Sequence, residues 1–197
     1  MTWKPHIESL EKSVSKYPYI FSKIRHFVPL YISRQLYYSL SKLTYGIEVW
    51  PTAYTSSTYS IATIQKKIFR IISFSGFKDH SGPLFKLWRI LPMQELVNFK
   101  IALLMHQIIN NRFHRFPFVI QFSRPTHNYS TRFANGNSLS FPLTHTNHKL
   151  RSLHHAGAAV WNSLPSQTQQ TSFRLFKQTL FSQLIDNICS NCRKCSI

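Results

Sequence analysis

At 197 residues, with 43% hydrophobic and 15% aromatic side chains, the chain is long enough for one core, or for two small subdomains sharing one, and too apolar for wholesale disorder. Its 24 Lys and Arg against 6 Asp and Glu give a net charge of +18, spread so that residues 1–100 hold 14 basic and 5 acidic groups and residues 101–197 hold 10 and 1, a net +9 in each half. A folded body so charged repels itself unless a polyanion neutralises it, which favours nucleic acid as partner over an anionic membrane surface.

Three cysteines, all within the last nine residues, exclude a disulfide framework. No apolar run reaches the length of a membrane span or resembles the core of a signal peptide. An intracellular protein, nuclear or cytoplasmic and without a membrane partner, is the expectation.

In chain order, residues 4–25 place Ile7, Leu10, Val14, Phe21 and Ile24 at helical spacing, with Pro18 predicting a kink near Tyr17. Lys23 and Arg25 add positive charge to the last turn, where the helix dipole welcomes it, and Pro29 suits the first turn of the next helix. That helix is expected to carry Leu36, Leu40, Leu43 and Ile47 on one stripe and to end at Pro51. A third runs from Tyr59 to Phe74 with Ile61, Ile64, Ile68, Ile71 and Ile72 on one face, Lys66 and Arg70 opposite, Lys67 on the flank, and Gly76 as the stop. A short turn of helix over Pro83–Ile90 precedes one opened by Pro92 and reaching Asn110, apolar nearly all round and so suited to the centre of a bundle.

From Asn111 to Pro165 the prolines, the Ala134-Asn-Gly-Asn137 turn and many His, Ser, Thr and Asn residues predict loops with short strands, one over Ser138–Leu143. A final helix from Ser172 to Ile188 carries Phe173, Phe176, Leu180, Leu184 and Ile188, with Thr171 or Ser172 as cap. The expected fold is mainly α: a thumb-like helical bundle over residues 1–110, a loop-rich region over 111–165, a C-terminal helix within 166–188 and a cysteine-containing tail over 189–197.

The same residues narrow the chemistry. A two-metal polymerase or nuclease needs closely placed carboxylates, but Glu8, Glu11, Glu48, Asp79, Glu95 and Asp186 are scattered except for the first two. His145, His148, His154 and His155 have no cysteine nearby and no acid between Glu95 and Asp186; they read as loop or surface groups able to touch phosphate when protonated. Cys189, Cys192 and Cys195 have metal-like spacing but supply three thiols where structural zinc takes four ligands, so free thiols are expected and no cofactor. The candidate nucleic-acid-binding residues are Lys66, Lys67 and Arg70, and more weakly Lys23, Arg25 and Arg132.

Several strings recur in a familiar order: Trp3-Lys-Pro-His-Ile7, Ser22-Lys-Ile-Arg-His-Phe27, Leu36-Tyr-Tyr-Ser-Leu40, Leu43-Thr-Tyr-Gly-Ile-Glu-Val-Trp50, Gln65-Lys-Lys-Ile-Phe-Arg-Ile-Ile72, Tyr129-Ser-Thr-Arg132 and Trp161-Asn-Ser-Leu-Pro165. Together they resemble the C-terminal part, thumb and post-thumb, of non-LTR (LINE-type) retrotransposon reverse transcriptases, over nearly the whole chain. The resemblance implies a truncated piece of an RNA-directed DNA polymerase that grips template and primer, RNA or DNA, beside palm and fingers domains. It implies no catalysis of its own, because the family's catalytic aspartates lie upstream of the segments matched here. A stand-alone basic interaction or nucleic-acid-binding protein derived from such an element, or a fragment without function, are the alternatives.

Overall fold

Pro18 decides how the first amphipathic stretch folds. It has no N–H to donate and its ring crowds the preceding turn, so the helix that starts at Lys4 stops at Val14 and a second starts at Tyr17 with Pro18 in its first turn. The predicted kink is therefore a break, narrowly spanned by the Ile20 N–H to the Lys16 carbonyl at 3.3 Å. A computed structural model describes residues 4–40, 47, 55–110, 138–141, 143, 146 and 152–188. Regular structure among the described residues is helical, and the protein is mainly α. The helices are α1 (Lys4–Val14), α2 (Tyr17–Ile24), α3 (Leu30–Leu40), α4 (Thr55–Ile72), α5 (Gly82–Trp88), α6 (Met93–Ile109), α7 (Leu153–Asn162), α8 (Ser166–Gln169) and α9 (Phe173–Asp186).

Contacts divide the chain into two compact units, one of Met1–Leu96 with Gln183–Ile197, the other of Val97–Ser182. In the first, α1, α2 and α5 pack against α4. Ile7, Leu10 and Val14 of α1, Phe21 of α2 and Phe85 of α5 are buried with Ile61, Ile68, Phe69 and Ile72 of α4. Each such side chain removed from water is worth about 1.5–3 kcal/mol.

The buried stripes differ from the expected ones where a polar side chain has a partner. On α4, Gln65 and Phe69 are buried while Ile64 and Ile71 are only half-buried. On α3, Ser33 and Tyr37 are buried and Leu36 is half-buried. The reason is one amide: Gln65 Nε2 donates to Tyr37 Oη at 2.9 Å and to the Leu91 carbonyl at 3.0 Å, and its Oε1 accepts the Met93 N–H at 2.8 Å. Met93 opens α6, so its N–H has no intrahelical partner; the side chain of α4 supplies one. Burial raises the Tyr37 phenol above the ordinary tyrosine range and so keeps it neutral. Ile47, the last member of the expected α3 stripe, is buried in a turn and not in a helix; Leu43 and the expected end at Pro51 lie outside the described residues.

In the second unit α6 is buried or half-buried at every described position from Val97 to Ile109, as expected of a helix apolar all round. Its one histidine, His106, is enclosed by Phe176, Phe173 and Trp161, with ring centroids 4.4, 5.8 and 6.2 Å away. His106 Nε2 lies 2.9 Å from the Thr171 carbonyl and Nδ1 lies 3.2 Å from Asn110 Nδ2. A carbonyl only accepts and an amide nitrogen only donates, so the ring proton sits on Nε2.

The region expected to be irregular contains α7. Its string Leu-His-His-Ala-Gly-Ala-Ala-Val-Trp-Asn has no proline and three alanines, a helix-forming composition that outweighs its histidines. Gly157 is where α7 meets α6, because a Cβ there would stand 2.6 Å from Met105 Sδ. At the helix end, Gln169 Nε2 donates to the carbonyls of Trp161 at 2.8 Å and Leu164 at 3.2 Å. The short strand expected over Ser138–Leu143 is absent from its described residues. Leu139 is held instead by the Asn162 side chain, whose Oδ1 accepts the Leu139 N–H at 2.8 Å while Nδ2 donates to the Leu139 carbonyl at 2.9 Å.

Candidate nucleic-acid interface

The last carbonyls of α4 have no intrahelical donors, and the way they are satisfied gathers the basic residues singled out from the sequence. The N–H of Ser75 returns to the Arg70 carbonyl at 3.0 Å and that of Phe74 to Ile71 at 3.3 Å, the bond pair of a Schellman ending. The residue in the left-handed conformation is Phe74, with φ 54°, not the expected Gly76. A side chain in that region costs about 1–3 kcal/mol and persists only where its surroundings hold it.

Those surroundings are visible. Arg25, one residue past α2, donates from Nη1 to the Ile71 carbonyl at 3.3 Å and lays its guanidinium 4.7 Å from the Phe74 ring centroid. His26 meets the same ring edge-on at 5.2 Å. The charge expected to serve the end of α2 therefore serves the end of α4, where the helix dipole favours it equally.

Arg70 is also engaged. Its Nε donates to the Asp79 carbonyl at 2.8 Å, while Asp79 Oδ2 accepts the Gly76 N–H at 2.6 Å and the Asp79 N–H returns to the Gly76 carbonyl at 3.1 Å. A Cβ at Gly76 would come within 3.1 Å of the Asp79 carboxylate, so this glycine serves a tight turn and not the helix stop. Three hydrogen bonds fix the turn, and at its tip Phe77 is 80% exposed. A phenylalanine left in water forgoes about 1.5–3 kcal/mol of burial.

Of the predicted residues, the structure brings Arg25 and Arg70 together at the end of α4, and Lys66 lies one turn before Arg70 on the same helix. Lys66 is half-buried and Lys67 exposed, both off the buried stripe. Lys23 is exposed, with Nζ 5.6 Å from the Tyr19 ring centroid. Arg132, His145, His148 and the three cysteines lie outside the described residues, while His154 and His155 are half-buried on α7. Among the described residues no three His, Cys, Asp or Glu side chains form a group that could hold a metal ion.

Sequence periodicity did not single out the exposed aromatics of this region, Phe27, Phe74 and Phe77, or Arg34, whose guanidinium lies 5.9 Å from the Tyr38 ring centroid and whose Nη2 donates to the Arg89 carbonyl at 3.4 Å. The available signal was that Phe74 and Phe77 follow the last stripe residue, Ile72, where no helical face remains to bury them. No described helix is long and apolar enough to cross a membrane. Compared with protein-family profiles, curated proteins and solved structures, the chain gives no significant match in any of the three.

Proposed function

We propose that the chain binds RNA or DNA with little sequence preference, through phosphate contacts, and carries out no reaction of its own. The observation that carries this reading is the net charge of +18 on a chain that folds into packed helices instead of trailing as a basic tail, a state that a polyanion stabilises. The ordered strings from Trp3-Lys-Pro-His-Ile7 to Trp161-Asn-Ser-Leu-Pro165 support the more specific part: a module like the thumb and post-thumb region of non-LTR retrotransposon reverse transcriptases, gripping template and primer. The six carboxylates, of which only Glu8 and Glu11 are close in sequence, support the absence of polymerase chemistry.

Lys66, Lys67 and Lys23 are the contacts to test first, because Arg25 and Arg70 also hold the loop in place. Fluorescence anisotropy with a labelled duplex and a labelled single strand across a salt series should give an affinity that falls steeply, with a log–log slope of about −0.7 to −0.9 per phosphate contact. Lys66→Glu with Lys67→Glu should weaken binding to every sequence tested and flatten that slope by about 1.4–1.8. Affinity indifferent to salt, or no binding to RNA, DNA or hybrid near physiological ionic strength, refutes the proposal.

A further inference from the structure

Phosphate contact alone gives no reason to hold phenylalanines in water beside the cations, and that juxtaposition is what the turn after α4 builds. Phe77 stands 80% exposed at the tip of the turn fixed by Asp79 and Arg70. Phe74 remains 54% exposed although Arg25 stacks on its face and His26 meets it edge-on. Phe27, next in sequence to His26, is 86% exposed. The backbone around Phe74 and Phe77 is pinned by hydrogen bonds from Arg25 and Arg70, and the Phe27 N–H is held by the Ile24 carbonyl at 2.9 Å, so the rings are displayed by a fixed frame.

We infer that Arg25, His26, Phe27, Phe74 and Phe77 form a stacking platform for unpaired bases, so that the bound species is single-stranded nucleic acid and not only duplex. Flat aromatic and guanidinium surfaces stack on any base, which gives affinity without sequence preference. A duplex has its bases already stacked and offers such a platform only its backbone. The cations around the rings, Arg25, Arg70 and Lys78, outnumber the one acid, Asp79, whose carboxylate is occupied by the Gly76 N–H. That balance suits a strand whose phosphates run alongside its splayed bases. The inference rests on the nucleic-acid reading above and makes it more specific.

The test compares anisotropy of labelled oligo(dT) of about 16 nucleotides with that of a duplex of equal length, for the full chain and its variants. The single strand should bind more tightly. Phe77→Ala and Phe27→Ala should each weaken it by about tenfold while changing duplex affinity less than twofold; both side chains lie in solvent, so thermal melting should be unchanged. Phe77→Trp should restore single-strand affinity and Phe77→Leu should not, which separates stacking from mere apolar contact.

Equal affinity for strand and duplex, or a Phe77→Leu variant that binds as well as the parent, overturns the platform while leaving the phosphate reading intact, provided Lys66→Glu with Lys67→Glu still weakens binding. If neither nucleic acid binds, both readings fail together. Binding to vesicles containing phosphatidylserine in place of either oligonucleotide would assign the patch to a lipid surface and overturn both.

Discussion

Gln65→Leu is the substitution that should damage the first unit most for its size. Leucine is no smaller than glutamine, so the change is not a loss of bulk; it removes an amide that makes three buried hydrogen bonds, to Tyr37 Oη, the Leu91 carbonyl and the Met93 N–H. A typical net contribution of about 1 kcal/mol each makes about 3 kcal/mol. The Met93 N–H and Leu91 carbonyl would then be left buried without those partners, an orphaning that pushes the loss upward. Part is recovered because leucine is cheaper to desolvate than an amide, so a loss of about 3 kcal/mol is the expected balance. In urea denaturation followed by far-UV circular dichroism, with a slope of about 2 kcal/mol/M, the midpoint should fall by about 1.5 M. Tyr37→Phe alone should cost about 1 kcal/mol, and in the double variant its effect should largely disappear, since the shared bond is already gone. A Gln65→Leu midpoint within about 0.2 M of the parent, or fully additive losses, would refute the reasoning that one amide ties α3, α4 and the start of α6.

Three further outcomes are expected. Because burial raises the Tyr37 pKa above its ordinary 10.0, the unfolded chain releases this proton at alkaline pH before the folded one does; stability is fully present below pH 10 and falls as pH rises beyond it, and Tyr37→Phe should flatten that fall in alkaline melting curves. Gly157→Ala should destabilise the second unit by about 1–3 kcal/mol, read by denaturation, because the added methyl meets Met105 Sδ and Met105 is itself fully buried. Arg89, with φ 50°, ends α5 through bonds from Arg89 N–H to Lys86 and Ile90 N–H to Phe85; Arg89→Gly should raise stability by about 0.5–1 kcal/mol, the strain relieved exceeding the extra freedom of the unfolded glycine, and a lower melting temperature would contradict the strain assigned there.

Much of the helical framework was legible because prolines and apolar spacing are local signals. Pro18, Pro29 and Pro92 all stand at or within one turn of a helix start, where a missing N–H is harmless. A stripe of aliphatic residues does not encode polar burial: Gln65 and Tyr37 are buried because each satisfies the other. Helix α7 is hard to read from its sequence because histidines and a glycine resemble loop composition, although Gly157 is there for close packing on Met105. At the candidate interface, Lys66 and Lys67 both stand off the buried stripe, but Lys66, expected opposite it, is half-buried and Lys67, expected on its flank, is exposed. The double duty of Arg25 and Arg70 depended on partners 46 and 9 residues away, which no local pattern encodes.

The Asn162 clamp on Leu139 does for one residue what a neighbouring strand does for many. Leu139 is 3% exposed, and a buried N–H or carbonyl left without a partner costs about as much as a lost hydrogen bond. The asparagine amide presents both the acceptor and the donor that a paired strand would, and it engages both backbone groups of Leu139. Backbone pairing at that residue is thus replaced by a single side chain, and Asn162→Ala, which would orphan both groups at once, should lower the melting temperature of the second unit.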